Sequence, residues 1–432
     1  MSPSVPGKSQ RGHREEANPF QRNEIESTTD CGRSDDQNKH TNDVGVRNSA
    51  KPLGLRESQL GGKGKKVINH CAQEGTHANC NSHYHVVHGV TIPRMPSKGH
   101  LSRQYSWVGA MMNQTVPPPT EQQLEAARRV IAHHLVPTPT VTLMLRGRPV
   151  LTKMELFQPT GAFKVRGALA AIDAALRSDP TGAVIASSAG NHGLGIAHAA
   201  MLLGARATVV VPATASAAKV KKLQNYEIEL IQHGNSYDDA QAFALTLAAE
   251  RSIRFLSPFN DPDVVAGQST VFEEMLRQAP ELEHLVVSVG GGGLIAGCLV
   301  AREVHGRTDI RVTAVQPQNS SALYFALQGK TMAEISHLPT IADGLAGGGD
   351  DGAMTNAIVA HHQIPFVLVP EAEIRSAVRE CVEQNGLVME GSATASYAAI
   401  TNNLIHDSSS RVGFIACGRN IAFDLLQSLL AE

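Results

Sequence analysis

The chain has 432 residues, of which 42% are hydrophobic and 18% are charged, with a formal net charge of −2. This composition can fill a substantial core and about two or three compact units. The nearly balanced charge argues against nucleic-acid and membrane-surface binding, which favour basic patches. Apolar runs fall short of the roughly 20 residues that a membrane span needs, and residues 1–16 lack the apolar stretch of a secretory signal.

Residues 1–118 differ in character from the rest of the chain. They are rich in Ser, Asn, Gln, Gly, His and charged residues without sustained apolar periodicity, so we predict a disordered polar extension. The gap from Cys71 to Cys80 fits no common zinc template, and we expect no metal site, although a metal-binding tail is an alternative. Scattered cysteines throughout the chain favour a reducing compartment, hence a cytoplasmic protein. The metal-capable side chains are His70, Cys71, His77, Cys80, His83, His85 and His88.

The globular part is predicted to start near Pro119. Thr120 is expected to cap a helix with Gln123 as its capping-box partner, and Pro137 ends that helix. Strand and helix patterns then alternate, which predicts an α/β fold with parallel sheets covered by helices. The predicted strands are 183–186, 208–211, 228–231, 285–289 and 312–315, and the predicted helices are 193–203, 216–224, 238–250 and 294–305.

One lysine lies in an apolar segment that is typical of a strand-to-helix turn. Lys164 directly follows Phe163, between Gly161 and Gly167. Poor solvation lowers the pKa of an amine, and an amine with a lowered pKa can form an imine with an aldehyde. A solvated surface lysine is the alternative, so this residue alone does not assign a chemistry.

A second turn follows the predicted strand 183–186 and opens a helix. Backbone N–H groups and the positive end of the helix dipole at such a turn suit a carboxylate. The amide of Asn191 can also hydrogen-bond a phenolic or carbonyl oxygen, while an ordinary capped helix start is the alternative. The candidate substrate-binding residues are Ser188, Ala189, Gly190, Asn191 and His192.

Four consecutive glycines follow the predicted strand 285–289. They allow the backbone to wrap closely around an anion at a helix N-terminus. The segment lacks both the Gly-Lys-Ser/Thr ending of a nucleotide P-loop and the acidic residue of a dinucleotide site, which favours a small monophosphate. A flexible linker is the alternative. The candidate phosphate-binding residues are Gly290, Gly291, Gly292, Gly293 and Leu294.

A final apolar strand leads into residues 415–420. Cys417 in this segment is either a buried structural thiol or a neutral partner of a ring nitrogen. An imine-forming lysine, an oxygen-binding amide, a phosphate cup and a carboxylate-binding turn together describe a pocket for pyridoxal phosphate and an amino acid.

With these motifs, residues 124–420 resemble the fold-type II pyridoxal-phosphate enzymes, and within them the serine/threonine dehydratases (threonine ammonia-lyases). The matching motifs are 159–168, 188–192 and 290–293. Further stretches resemble dehydratases and serine racemases more than cysteine synthases or tryptophan synthase. These are 258–268, 340–346 and 390–393.

The resemblance implies a tryptophan synthase β-like fold with two parallel-sheet subdomains flanked by helices. Residues 119–432 would form the catalytic domain, with a smaller subdomain at about 183–262. Lys164 would hold pyridoxal phosphate covalently beside Phe163 and remove the Cα proton, and Asn191 and Cys417 would contact the cofactor. The expected reaction converts L-threonine or L-serine to 2-oxobutanoate or pyruvate plus ammonia. A homo-oligomer is implied, with an amino acid as the small-molecule ligand and no nucleic-acid or membrane partner.

Several positions depart from the family pattern. Residues 417–420 read Cys-Gly-Arg-Asn instead of Ser-Gly-Gly-Asn, and a thiol can still be the neutral group at the ring nitrogen. Gln316 and Ala322 replace the acidic residues of the racemase-type metal site, so we expect no structural cation. Ala189 replaces a serine that acts as second acid/base in racemase-like members, which favours dehydration. The chain ends at Glu432, so no C-terminal regulatory domain is expected. A racemase, another β-eliminating lyase and a cofactor-binding protein without turnover are the alternatives.

Overall fold

The structure, a computed structural model, describes residues 84–87, 90–93, 116–179, 181–347, 349–405 and 411–432. All of them belong to the compact unit Asn79–Glu432. The predictions of a disordered extension and of a metal-binding tail fall almost wholly outside the described residues. Within that stretch the structure describes a short antiparallel hairpin of β1 (Tyr84–Val87) and β2 (Val90–Pro93).

Strands and helices largely alternate from residue 121 onward. The strands are β3 (Thr140–Leu145), β4 (Arg148–Lys153), β5 (Ala183–Ser187), β6 (Arg206–Val211), β7 (Glu229–Gln232), β8 (Arg254–Phe255), β9 (His284–Ser288), β10 (Arg311–Pro317), β11 (Phe366–Val369) and β12 (Val412–Ile415). The helices are α1 (Glu121–His134), α2 (Lys164–Ser178), α3 (Asn191–Leu203), α4 (Ala217–Leu223), α5 (Tyr237–Arg251), α6 (Pro262–Gln278), α7 (Gly293–Val304), α8 (Ala322–Ala326), α9 (Met354–His362), α10 (Glu371–Asn385), α11 (Gly391–Thr401) and α12 (Phe423–Ala431).

The larger sheet contains six strands in the order β11-β10-β9-β12-β4-β3. Neighbouring strands are parallel except at one edge, where β3 and β4 form an antiparallel hairpin. Helices α6, α7 and α11 supply many of the apolar side chains that pack against this sheet. Strands β9 and β10 confirm the predicted ones to within two residues at each end, whereas β3 and β4 were not predicted.

The smaller sheet contains four parallel strands in the order β7-β6-β5-β8. Its residues run from 183 to 255, between α2 and α6 in the chain. Two mainly parallel sheets with helical cover confirm the predicted α/β class. Because the carboxyl ends of parallel strands meet at one edge of a sheet, the turns after β5 and β9 are placed where ligands bind in such folds.

The predicted start of the first helix is confirmed in detail. The Thr120 N–H donates to Oε1 of Gln123 at 3.0 Å, and the Gln123 N–H donates to Oγ1 of Thr120 at 3.3 Å. Both groups would otherwise lack intrahelical partners at the first turn. Helix α1 then buries Leu124 and Ile131 in the apolar cluster that it shares with α2.

A buried network of charges anchors the start of α2. The fully buried Arg166 donates to both oxygens of Glu155, at 2.8 Å each, and to both oxygens of Glu274, at 2.7 Å each. Lys153 adds a second cation, with Nζ 2.7 Å from Oε2 of Glu274. Each buried charge therefore has an opposite charge at hydrogen-bond distance, which burial requires. The network holds the backbone at Arg166, which is two residues after Lys164 in the chain.

Among the described residues, no helix is long and apolar enough to cross a bilayer. The same part of the chain contains no group of three or more His, Cys, Asp or Glu side chains arranged to hold a metal ion.

Candidate active site

Lys164 is the first residue of α2 and projects into a cavity of about 290 Å³. Its Nζ donates a hydrogen bond of 2.8 Å to the backbone carbonyl of Pro258. Burial lowers the pKa of the Lys164 amine to about 8, with the nearby Cys417 as a weak opposing influence. This amine is therefore neutral at a lower pH than an ordinary lysine, as a nucleophile or a base requires.

The turn after β5 packs tightly against the first turn of α3. A Cβ on Gly193 would lie 2.0 Å from the carbonyl oxygen of Ser188, so only a glycine allows this approach. The Ser188 hydroxyl accepts the Gly190 N–H at 3.1 Å, and its side chain does not line the cavity. Ala189, Gly190, Asn191 and His192 do line it, at the positive end of the α3 dipole.

His192 in this turn is buried and neutral. Its Nε2 lies 3.0 Å from the carbonyl oxygen of Leu256 and donates to it. Burial, together with the nearby Lys164 ammonium, lowers the pKa of His192 to about 3. The side chain therefore adds no charge to the cavity and serves to hold the turn against β8.

Three of the four glycines lie between β9 and α7, and Gly293 is the first residue of α7. All four line the cavity. Gly292 caps α7 with φ +89°, a conformation that L side chains rarely adopt. A Cβ on Gly290 would lie 3.1 Å from Cα of Leu345, and one on Gly293 would lie 3.1 Å from Cα of Phe259. The segment thus exposes backbone amides at a helix start, which is an anion site.

The segment after β12 runs beside the lysine turn. The Phe163 N–H donates to the Cys417 carbonyl at 3.1 Å, and the Arg419 N–H donates to the Gly161 carbonyl at 2.9 Å. Cys417 is buried, and burial raises the pKa of its thiol, so the group is neutral. These backbone bonds bring Cys417 to the wall of the same cavity as Lys164.

A carboxylate that the sequence analysis did not assign to the site also lines the cavity. Glu390 is 4% exposed, and its Oε1 accepts the Asn191 side-chain N–H at 2.7 Å. Its Oε2 accepts the Asn420 backbone N–H at 2.8 Å. Burial, and then the nearby carboxylate of Asp343, raise the pKa of Glu390 to about 7.

The structure thus brings the predicted site residues, Ser188 excepted, to one cavity. Other lining residues were missed. Those with polar side chains are Lys219, Lys222, Tyr237, Ser288, Asp343, Glu390, Ser392 and Asn420. The motif 390–393 offered a signal, because an acidic residue there follows an apolar stretch immediately before a helix.

Comparison with known proteins places this geometry in a family. Residues 131–418 match the family model described as "Pyridoxal-phosphate dependent enzyme". The chain belongs to this family. Pyridoxal phosphate is accordingly its cofactor, and the predicted fold-type II architecture is confirmed.

Individual members are similar over most of the globular part. An L-threonine ammonia-lyase of Thermotoga maritima is 35% identical over 284 residues, which cover 66% of this chain and 70% of that protein. A pyridoxal 5'-phosphate-dependent aspartate racemase has a TM-score of 0.66 at 31% identity, covering 72% of this chain and 98% of the other. Serine racemase from Dictyostelium discoideum has a TM-score of 0.64 at 28% identity, covering 71% and 99%.

The residues present fit pyridoxal phosphate. The Lys164 amine, whose lowered pKa favours its neutral form, can react with the aldehyde of the cofactor. The glycine cradle, residues 290–293 at the start of α7, offers backbone amides to the cofactor phosphate. The hydroxyl of Ser392 is buried in the cavity wall with no hydrogen-bond partner among the described residues. A buried polar group of this kind needs a partner, and a polar ligand would supply one.

Where racemase-type members have an acidic metal ligand, this chain has the uncharged amide of Gln316. The Nε2 of Gln316 donates to the Val289 carbonyl at 3.2 Å, and its Oε1 accepts the Tyr324 N–H at 2.8 Å. Both ends of the amide therefore bind protein groups. Ala322 begins α8 and offers no ligand atom in its side chain. The absence of a structural cation stays a prediction.

Proposed function

We propose that the chain is an ammonia-lyase that converts L-threonine or L-serine to 2-oxobutanoate or pyruvate plus ammonia. The proposal rests on one observation: the amine of Lys164 opens into the same cavity as the amides of 189–192 and the glycines 290–293. One cavity therefore offers a base, a carboxylate site and a phosphate site. The similarity to an L-threonine ammonia-lyase supports this assignment.

Pyridoxal phosphate, held by Lys164 and the glycines 290–293, would withdraw electron density from the substrate Cα. Lys164 accepts the Cα proton at Nζ, because its lowered pKa leaves a larger neutral fraction than an ordinary lysine has. The carbonyl of Pro258, 2.8 Å away, keeps that nitrogen in the cavity. Lys164 is thus proposed as the catalytic base.

The backbone amides at the start of α3 bind the substrate carboxylate, and those at the start of α7 bind the cofactor phosphate. Neutral His192 leaves the first of these sites without a competing charge. Cys417 has a raised thiol pKa and is proposed to face the ring nitrogen without protonating it. An unprotonated ring favours elimination over transamination.

A racemase is the second candidate, because solved racemase structures are similar over the same part of the chain. Racemisation needs a second acid/base on the face of Cα opposite the lysine. The serine used for this purpose in racemase-like members is Ala189 here, whose methyl group cannot carry a proton. Ammonia release is therefore the better-supported reaction.

The test is a panel assay on purified protein with pyridoxal phosphate. L-Threonine, L-serine and D-serine are supplied, and 2-oxo acid, ammonia and the chirality of remaining serine are measured together. We expect equal amounts of 2-oxo acid and ammonia, with little inversion of serine. Inversion faster than ammonia release would favour the racemase. Ala189→Ser provides a matched variant, and we expect it to raise inversion relative to elimination.

A further inference from the structure

Asn191, Glu390 and Asn420 form a closed ring of hydrogen bonds in the cavity wall. The Nδ2 of Asn191 donates to Oε1 of Glu390 at 2.7 Å, and Oδ1 of Asn191 accepts from Nδ2 of Asn420 at 2.7 Å. The backbone N–H of Asn420 closes the ring at Oε2 of Glu390, at 2.8 Å. Asn191 begins α3 beside the smaller sheet, whereas its two partners lie next to the larger sheet.

The ring fixes which way the Asn191 amide faces. Because Nδ2 of Asn420 donates to Oδ1 of Asn191, the NH₂ group of Asn191 must face Glu390. Asn420 cannot reverse its own amide, because its Nδ2 also donates to the Thr160 carbonyl at 2.8 Å and its Oδ1 accepts from Nζ of Lys222 at 3.1 Å. One side-chain N–H of Asn191 is left over after the bond to Glu390, and Asn191 lines the cavity.

Glu390 has no other evident task. It occupies the N-cap position of α11, yet its side chain makes no capping hydrogen bond to that helix. Instead it turns toward the cavity, where a Cβ on the neighbouring Gly418 would lie 2.5 Å from Oε1. A buried carboxylate held by two N–H donors is costly to desolvate, and such groups concentrate at functional sites.

We propose that Glu390 and Asn420 are positioning residues that lock the Asn191 amide so that its remaining N–H donates to an oxygen of the bound cofactor. This inference rests on the proposed function only in that the cavity holds pyridoxal phosphate. It assigns Glu390 a role through Asn191 and no contact with the reacting atoms.

A double-mutant cycle on cofactor binding tests the inference. The dissociation constant for pyridoxal phosphate and the visible absorbance band are measured for the full chain, Glu390→Gln, Asn191→Ala and the double variant. A glutamine of the same size can accept from only one of the two donors. We expect Glu390→Gln to weaken binding by about tenfold and to shift the band, with no further loss in the Asn191→Ala background.

Glu390→Asp, which keeps the carboxylate, should restore most of the affinity and the band. Glu334→Gln is the control, because Glu334 also accepts a backbone N–H, at 2.8 Å from Thr331, but lies outside the cavity. It should bind the cofactor as the unaltered chain does. Additive losses from Glu390→Gln and Asn191→Ala, or unaltered binding by Glu390→Gln, would overturn the proposal.

If Glu390→Gln does not fold, as judged by far-UV circular dichroism, Asn420→Ala takes its place in the same cycle. That variant removes the donor to Oδ1 of Asn191 and keeps the backbone N–H to Glu390. The cycle uses no amino-acid substrate. If the protein binds the cofactor but releases no ammonia, the proposed function is contradicted. The cycle still tests the role of Glu390 in that case.

Discussion

The Nζ atom of Lys164 donates a hydrogen bond of 2.8 Å to the carbonyl oxygen of Pro258, a residue 94 positions further along the chain. The bond joins the start of α2 to the loop before α6. It holds the amine inside a cavity where desolvation favours the neutral form. The packing of α2 therefore sets both the position of this nitrogen and its lowered pKa.

The lowered pKa of Lys164 has a consequence for cofactor uptake. Its ordinary value is 10.5 and its value in the cavity is about 8, so the neutral amine is largely formed once the pH exceeds 8. Uptake of pyridoxal phosphate by cofactor-free protein should accelerate about tenfold per pH unit below 8 and then level off. Stopped-flow absorbance measures the rate, with N-acetyl-lysine as a reference amine. A rate that keeps climbing to pH 10 in parallel with the reference would contradict the lowered pKa.

The buried charges around Arg166 predict a large loss of stability when one partner is removed. Arg166→Met leaves the carboxylates of Glu155 and Glu274 with Lys153 as their remaining buried cation. We expect the free energy of unfolding to fall by about 3–5 kcal/mol. Urea unfolding measures it. Arg129→Met is the control, because Arg129 is exposed and its pair with Glu125 at 3.5 Å should contribute less than about 1 kcal/mol. Equal losses in the two variants would show that the network is not stabilising.

Two matched substitutions separate the contribution of the glycine cradle to cofactor binding from the effect of backbone strain on folding. Gly292→Ala places a Cβ 3.0 Å from Cβ of Thr355 at φ +89°, inside the cavity wall. Gly306→Ala meets a similar conformation, φ +63°, in open space. Both should lose about 1–2 kcal/mol of folding free energy, but only Gly292→Ala should weaken pyridoxal phosphate binding, by about tenfold or more. Weakening of cofactor binding by both variants to the same extent would argue against a phosphate site at Gly292.

The unpaired hydroxyl of Ser392 predicts opposite effects on stability and on binding. Ser392→Ala should raise the stability of cofactor-free protein by about 1 kcal/mol, because a buried group without a partner is removed. The same change should weaken cofactor binding. Ser187→Ala is the control, since the Ser187 hydroxyl is also buried without a described partner but lies outside the cavity. It should raise stability and leave binding unchanged. Thermal unfolding with and without cofactor measures both quantities, and unchanged binding in Ser392→Ala would remove that residue from the site.

Much of this site could be predicted from local sequence. Lys164, the turn 188–192 and the glycines 290–293 each combine a distinctive composition with a position at the start of a helix, and that position sets their surroundings. The capping box at Thr120 is similarly local, since its partners are three residues apart. Such short-range patterns can be recognised in the sequence because residues close together in the chain define them.

Other parts could not be predicted for physical reasons. The acceptor for Lys164 is a backbone carbonyl, and every residue has one, so Pro258 carries no mark of that role. Glu390 meets Asn191 across 199 positions, and only the tertiary fold brings them together. The hairpin of β3 and β4 turns at Arg146, whose φ is +47°. Asn and Asp adopt this conformation more readily than Arg does, so the residue type did not indicate a turn.

The central claim is that Lys164 holds the cofactor covalently. Purified protein is loaded with pyridoxal phosphate, reduced with borohydride, digested and mapped by mass spectrometry, with Lys164→Ala and Lys221→Ala processed in parallel. Lys221 is an exposed lysine outside the cavity and serves as the control. We expect the pyridoxyl label on Lys164 in the unaltered chain and in Lys221→Ala, and its loss in Lys164→Ala together with the visible absorbance band. A label on another lysine, or a band that persists in Lys164→Ala, would contradict the account.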